Sequence, residues 1–348
     1  MRILGIESSC DETAAAVVED GRSILSNVIA SSIKEHQVFG GVVPEIASRM
    51  HLVSIIPVLQ EALLPVGGMS SIDVVAVTAG PGLVGSLLVG LMTAKTLAWM
   101  EKKPLVGVHH LEAHLWAPFV GWPDAPPPEP RYPQISLLVS GGHTLLFYVP
   151  DAHNRVLLGV SRDDAVGEAY DKAAKILGLG YPGGPVIDRL AALGDPSRYP
   201  LPVALRHSSD FDTSFSGLKT ALSQLVAKLG DEVVEQEIAH LCASFQEAVV
   251  CALVEKTERA LQQMNSVQLV LSGGVAANSR LRAEIQALAQ RYAVTCVLPP
   301  RVLCTDNAAM VAAAAYAAAC AGNFADWTLN AFASSTLSRR GAQIVCSK

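Results

Sequence analysis

Aromatic and charged side chains are scarce in this chain of 348 residues: 5% are Phe, Trp or Tyr and 17% are charged, whereas 50% are apolar. That balance excludes an intrinsically disordered chain and leaves the packing to Ala, Val, Leu and Ile. Positive charge is in deficit, with a formal net charge of −6. The whole-chain field would not recruit a nucleic acid, so basic residues would have to be clustered locally or supplied by a partner. No two of the seven cysteines, Cys10, Cys242, Cys251, Cys296, Cys304, Cys320 and Cys346, stand at CxxC spacing. The odd count argues for free thiols in a reducing compartment over a disulfide framework. A bilayer span is also missing from the pattern, because the longest apolar run, at 83–99, holds Lys95 and two glycines. Glu7 and Asp11 arrive before a signal-peptide core could form. A cytoplasmic protein with no membrane segment is expected.

What is present is an alternation of strand and helix. Periodicity predicts strands at 2–8, 14–20 and 24–32, a helix over 44–64 with Pro44 in its first turn, a strand at 73–80, a helix over 83–100 and a strand at 104–110. GWPDAPPPEPRYP at 121–133 reads as a linker. The second half then repeats the plan: QISLLVSGGHTLLFYV at 134–149 is a strand pair, and VQLVLSGGVAANSRLR at 267–282 is strand, glycine loop and helix. Further helices are expected near 166–178, 186–194, 216–229, 231–264 and 306–321. The expected organisation is an α/β fold with mainly parallel pairing. Its parts are a lobe over 1–120, the linker 121–133, a lobe over 134–325 with a helical insertion, and a tail over 326–348.

Three glycine loops follow strands: AGPGLVG at 79–85, SGGHT at 140–144 and SGGVAAN at 272–278, with YPGGP at 181–185 as a fourth bare turn. None is a Walker loop and none matches GxGxxG. Together, in a duplicated α/β chain, they favour a nucleotide site between two lobes. HLEAH at 110–114 adds a different chemistry. Residues four apart on a helix lie about 40° apart around its axis, so His110 and His114 can reach one metal ion, with Asp306 of CTDN as a third ligand. His109 then points elsewhere, as a supporting or structural residue. A zinc protease is excluded: HExxH needs Glu after the first His, where Leu111 stands, and Glu112 projects from the opposite side. The GIESSCDET turn reads either as a hydrophilic tip or as an anion-binding nest in which Asp11 or Glu12 takes a proton. Asp171 and Lys175 are spaced to pair on a helix surface, and Glu45 and Arg49 are read as a solvated face or a substrate edge.

The ordered set GIESSCDET, GGVVPEIASR, TAGPGLVGSL, HHLEAH, LLVSGGHT, GEAYDKAAKILGLGYPGGP, SFSGLKT, LSGGVAAN and CTDNAAM resembles the tRNA threonylcarbamoyladenosine modification enzymes, formerly called O-sialoglycoprotein endopeptidases. The resemblance is close to their bacterial catalytic subunit and covers essentially the whole chain. The proline-rich linker and the polar tail depart from the pattern. It implies the duplicated, two-lobe, ribonuclease H-like fold of the actin, sugar-kinase and heat-shock ATPase superfamily, with mixed sheets and extra helices in the second lobe. It also implies transfer of the threonylcarbamoyl group from L-threonylcarbamoyl-AMP to N6 of the adenosine 3′ of the anticodon, in tRNAs reading codons that begin with A. Carried over by motif, His110, His114 and Asp306 bind one divalent ion, iron or zinc. Leu138, Val139, Ser140, Gly141 and Gly142 line the adenylate site. Asp171, Gly184, Asp188 and Asn278 contact the nucleoside and its surroundings, and Asp11 and Glu12 lie near the reacting centre. Implied partners are tRNA, a shorter paralogue of the same fold, and a small ATPase. The competing readings are an ATPase or kinase of the superfamily and a non-catalytic scaffold of the modification complex.

Overall fold

A computed structural model describes residues 1–334. The described residues fold into two compact units, one made of Met1–Glu129 with 305–334, the other of Pro130–Cys304. In the first unit the strands are β1 (Arg2–Glu7), β2 (Glu12–Glu19), β3 (Ser23–Ser31), β4 (Val74–Gly80) and β5 (Leu105–His109), in the order β3-β2-β1-β4-β5. Short turns make β1, β2 and β3 an antiparallel meander, whereas β4 and β5 run parallel to β1. Parallel pairing needs crossovers. These are α1 (Ile33–Gln37) with α2 (Pro44–Leu63), and α3 (Val84–Met100); α4 (His110–Trp116) continues directly from β5.

The second unit carries β6 (Gln134–Val139), β7 (Thr144–Val149), β8 (Val156–Val160), β9 (Gln268–Ser272) and β10 (Thr295–Val297), in the order β10-β9-β6-β7-β8. Read from β8, this is the strand order of the first unit again, with the same two antiparallel and two parallel pairings. The duplication is therefore present, in the mixed sheets that the family resemblance implies, although periodicity alone suggests mainly parallel pairing. Its helices are α5 (Val166–Ile176), α6 (Gly183–Ala191), α7 (Ser216–Leu229), α8 (Asp231–Gln236), α9 (Ile238–Gln263) and α10 (Ser279–Arg291). The long helix expected over 231–264 is broken at Glu237 into α8 and α9. The edge strands β8 and β10 are too short to announce themselves by alternation.

The core of the second unit forms around α9, where Leu241, Phe245, Val249 and Leu253 are buried. Tyr170 on α5 meets Phe245 edge-on at 5.5 Å. Truncating Phe245 to Ala there costs about 3–5 kcal/mol. Among the described residues, two stretches have the length and apolarity of a membrane span, Pro44–Val66 and Asp231–Gln263. The second is a core helix, with 67% of its apolar window buried. The inner face of α2 lies in the first unit through Ala47, Ile55, Val58, Leu59 and Ala62.

The last helix, α11 (Ala308–Cys320), corrects the expected boundary. It packs on the first sheet, so the lobe drawn over 134–325 ends at Cys304 instead. The reason is steric. At Gly5 of β1 a Cβ would lie 2.3 Å from the Ala308 carbonyl and 2.9 Å from the Ala312 amide. Only an alanine-rich helix over a glycine strand can come that close. The proline-rich segment is not a free linker either. The Gly121 amide donates to the Arg22 carbonyl at 3.0 Å, Arg22 donates to the carbonyls of Pro127 at 2.9 Å and Pro128 at 2.8 Å, and the unit break falls after Glu129. Of the tail expected over 326–348, the Phe332 amide bonds the Ala79 carbonyl at 3.0 Å; residues 335–348 lie outside the described residues.

Candidate metal centre and nucleotide-binding loops

Strand β5 ends at His109 and the helix α4 begins on the next residue. That junction turns His110 and His114 to one side of a short, buried helix. Their rings meet edge-on at 4.6 Å. Asp306 arrives just before the N-cap of α11, where the Asn307 side chain accepts from the Met310 amide at 3.0 Å. Asp306 Oδ1 lies 3.1 Å from His114 Nε2 and 3.8 Å from His110 Nε2, and the three ligand atoms lie within 4.8 Å of one another. Ligands at about 2.1 Å from a tetrahedral ion would be about 3.4 Å apart. His109, as expected, faces elsewhere, its ring 5.7 Å from that of Phe332.

The donor set fits a cation. His114 is fully buried, and its Nε2 makes no hydrogen bond, although Asp306 Oδ1 stands at ion-pair distance. Such misalignment is what two ligands show when both point at a third position. His110 is braced from behind: its Nδ1 lies 3.2 Å from Glu7 Oε2 and 3.2 Å from Ser9 Oγ. Glu7 is fully buried and accepts from the Ser9 amide at 2.6 Å and from Thr78 Oγ1 at 2.7 Å. A proton on Nδ1, donated to Glu7, leaves Nε2 as a lone pair facing Asp306 and His114. Burial pushes the His110 pKa down, but Asp306 and Glu7 outweigh it and raise it to about 9. Burial likewise pushes Glu7 up, and His110 outweighs that and holds it low.

The GIESSCDET turn is neither a solvated tip nor an anion nest. Asp11 and Glu12 are 9% and 8% exposed, and the Ser9 amide is taken by the chain's own Glu7. Burial first, then Asp11 and Asp306, push Glu12 well above the ordinary carboxylate range. Glu7, Asp11, Glu12 and Asp306 together would repel an anion and favour a cation. Glu7 was missed as a functional residue by sequence reasoning. Its one signal is a carboxylate that follows the apolar run ILGI of β1.

The second unit gathers the other candidates around α5. The Gly167 and Glu168 amides donate to the Ser140 and Gly141 carbonyls at 3.2 and 3.1 Å. A Cβ on Gly167 would lie 2.7 Å from both Gly141 Cα and the Ser140 carbonyl, so the helix start presses on the loop. Asp171 accepts from the Gly183 amide at 2.7 Å, Asp188 accepts from Ser279 Oγ at 2.7 Å, and Asn278 caps α10 through the Leu281 amide at 2.9 Å. The Asn278 amide group also donates to Gln246 at 2.7 Å and to the Tyr170 hydroxyl at 3.4 Å. These three polar residues therefore hold the loops in shape. Open space lies over Gly141, Gly142 and Gly184, where an added Cβ would meet nothing within 4 Å. Leu138 and Val139 are buried strand residues; only their backbone reaches the loop. Glu45 and Arg49 pair at 2.7 Å on an exposed face.

A sequence profile of the family described as "TsaD: tRNA N6-adenosine threonylcarbamoyltransferase" matches residues 23–313. The chain is 56% identical over 314 residues to the tRNA N6-adenosine threonylcarbamoyltransferase of Syntrophus aciditrophicus, covering 90% of each chain. It is 55% identical over 333 residues to the enzyme of that name from Anaeromyxobacter dehalogenans, covering 95% of this chain and 98% of that one. Among solved structures, HypF of T. kodakarensis superposes with a TM-score of 0.59 at 13% identity, over 94% of this chain and 48% of that one. Component A of the (R)-2-hydroxyglutaryl-CoA dehydratase of Acidaminococcus fermentans does so with a TM-score of 0.52 at 17% identity, over 92% and 99%. These two likenesses speak for the duplicated fold alone. The match in sequence is of another order, and by it the chain belongs to the tRNA N6-adenosine threonylcarbamoyltransferase family.

Proposed function

We propose that His110, His114 and Asp306 hold one divalent ion, and that with it this chain moves the threonylcarbamoyl group from L-threonylcarbamoyl-AMP to N6 of the adenosine 3′ of the anticodon. Family membership makes the chain a transferase acting on tRNA. The observation that carries the finer reading is the buried, unbonded His114 Nε2 facing Asp306 beside a His110 already braced by Glu7. Two imidazoles and one carboxylate with open positions suit iron(II), and zinc accepts the same donors.

Adenine N6 is a poor nucleophile, since its lone pair is delocalised into the ring. The donor is a mixed anhydride, so the new N–C bond forms as the C–O bond to AMP breaks. The bound ion would polarise a donor oxygen and stabilise the charge that develops there. Glu7 keeps the His110 proton on Nδ1 and so keeps Nε2 a ligand. Glu12, held high by burial and by its acidic neighbours, takes the proton that N6 must lose, and Asp11 orients the amine. Gly141, Gly142 and Gly184, under open space, offer backbone to the adenylate beside Ser140; Asp171, Asp188 and Asn278 keep the adjoining turns in register. The target base sits in a single-stranded loop, where exposing it costs little.

A net charge of −6 leaves tRNA recruitment to partners. A shorter paralogue of the same fold would dock on the first unit at α2, whose outer face exposes Leu52, Val53 and Ile56, with a small ATPase completing the complex in the cytoplasm. The test combines this chain, those partners, unmodified tRNA and L-threonylcarbamoyl-AMP, followed by nucleoside analysis. N6-threonylcarbamoyladenosine should form, disappear on chelation and return with iron or zinc. A metal-replete complex that yields none, or that hydrolyses ATP without modifying tRNA, sinks the reading in favour of an ATPase or a scaffold.

A further inference from the structure

Helix α2 buries Ala47, His51, Ile55, Val58, Leu59 and Ala62. His51 is the one polar residue on that face, and it is 1% exposed. Its Nε2 lies 3.0 Å from the Cys10 carbonyl, and its Nδ1 lies 2.7 Å from Thr13 Oγ1. A carbonyl only accepts, so Nε2 carries the proton and donates it. Nδ1 then has a lone pair and accepts the Thr13 hydroxyl. Burial, ahead of the Cys10 bond that opposes it, lowers the His51 pKa and keeps the ring neutral, in the tautomer this network requires. One imidazole thus grips Cys10 and Thr13, the two residues flanking Asp11 and Glu12. The other side of the tip is held by Ser32, whose amide and hydroxyl donate to the Asp11 carbonyl at 3.0 and 2.8 Å. An apolar residue would fill the same space on α2, so packing alone does not account for a histidine with both nitrogens engaged.

We infer that His51 is a positioning residue for transfer: it fixes the Asp11–Glu12 tip from α2 and so sets where those carboxylates stand. The inference rests on the transferase reading above. Among the described residues the hydrogen bonds of His51 run to Cys10 and Thr13, so it acts through the tip. A displacement of about 1 Å at a reacting group can cost 10²-fold in rate.

The experiment uses the full, metal-loaded chain with its partners and compares wild type, His51→Phe, His51→Gln, His51→Asn and Thr13→Val. His51→Phe should lower kcat about 10²-fold, while bound metal and the KM for L-threonylcarbamoyl-AMP stay at wild-type values. Hydrogen exchange over residues 8–13 should accelerate. His51→Gln, which keeps a donor near the Nε2 position, should recover more rate than His51→Asn, which keeps only the Thr13 side. Thr13→Val should lose less than His51→Phe. An unchanged kcat in His51→Phe overturns the inference, as does a loss that follows metal content or melting temperature step for step. Should wild type itself make no modified nucleoside, the transferase reading fails. The exchange arm then still decides whether His51 holds the tip, and unaltered exchange in His51→Phe would refute it.

Discussion

The two units share a strand order and differ in what they hang on it. In the first, the turn between β1 and β2 carries Glu7, Asp11 and Glu12, all buried. In the second, the equivalent turn between β6 and β7 is Ser140, Gly141, Gly142 and His143, with open space over the glycines. The loop after β4 is AGPGLVG and the loop after β9 is SGGVAAN. One unit concentrates negative charge and imidazole; the other withdraws side chains so that backbone is exposed. The frame alone dictates neither, because topology fixes where the turns fall and the residues placed there fix the chemistry. A cation belongs with the first pattern and a phosphate with the second.

The comparison is broken most severely by removing a ligand from the first unit. His114→Ala should abolish stoichiometric metal binding and lower transfer about 10³-fold, the scale of losing one electrostatic contact to a transition state. Metal analysis beside nucleoside analysis checks it, and full activity with an empty site would end the metal assignment. Glu7→Gln comes next. It keeps the shape but cannot anchor the His110 Nδ1 proton with a charge, so metal affinity should fall about 10–100-fold, read by competition with a chelator. An affinity equal to wild type would leave Glu7 a purely structural residue.

Much of this was legible before any coordinates. The spacing of His110 and His114 places two rings on one face, and the glycine loops announce themselves after strands. The unit to which Asp306 belongs was not legible. Its helix, α11, joins the first sheet through alanine against Gly5, a steric fit that periodicity cannot report. Glu7 falls inside the strand expected over 2–8, and only the fold brings it within 3.2 Å of His110, more than a hundred residues on. Asp171, read from spacing as a surface partner of Lys175, also has a tertiary role, acceptance of the Gly183 amide. In each case the missing term is a contact distant in sequence.

The glycines of the second unit sharpen the contrast at lower cost. Gly141→Ala meets no protein atom within 4 Å, so stability should change by less than about 0.5 kcal/mol. The methyl would instead occupy the space proposed for the donor, and the KM for L-threonylcarbamoyl-AMP should rise about tenfold, equivalent to about 1.4 kcal/mol. Gly167→Ala should do the reverse. Its Cβ would lie 2.7 Å from Gly141 Cα, which costs about 1–3 kcal/mol of stability as the helix start is pushed off the loop. Steady-state kinetics paired with thermal melts separate the two. Equal melting temperatures in both variants would mean that the loop yields, and that the glycines are not there for contact.

The smallest expected effect concerns acid, and here Glu12 of the first unit and Asp163 of the second carry opposite signs. At Asp163 burial raises the pKa, but Ser214 Oγ at 2.5 Å, Ser216 Oγ at 2.6 Å and the Phe215 amide at 2.8 Å outweigh it and hold the carboxyl low. Asp164 is held low in the same way, by Lys172 and Lys219 against burial. A carboxyl depressed in the folded state contributes stability above its unfolded pKa, and that contribution is lost as pH falls through the folded value. Glu12 is raised instead, so its contribution is present at low pH and is lost as pH rises. Acidifying metal-free protein from about pH 5 to 3 should therefore loosen the start of α7 while leaving the start of β2, at Glu12, as tight or tighter. Hydrogen exchange, corrected for its intrinsic pH dependence, should show protection falling over 211–222 and holding over 12–16. In Asp163→Asn the first segment should be less protected at neutral pH and less responsive to acid. If both segments respond alike, or if Asp163→Asn keeps the wild-type acid response, the opposed electrostatics of the two turns do not govern their stability.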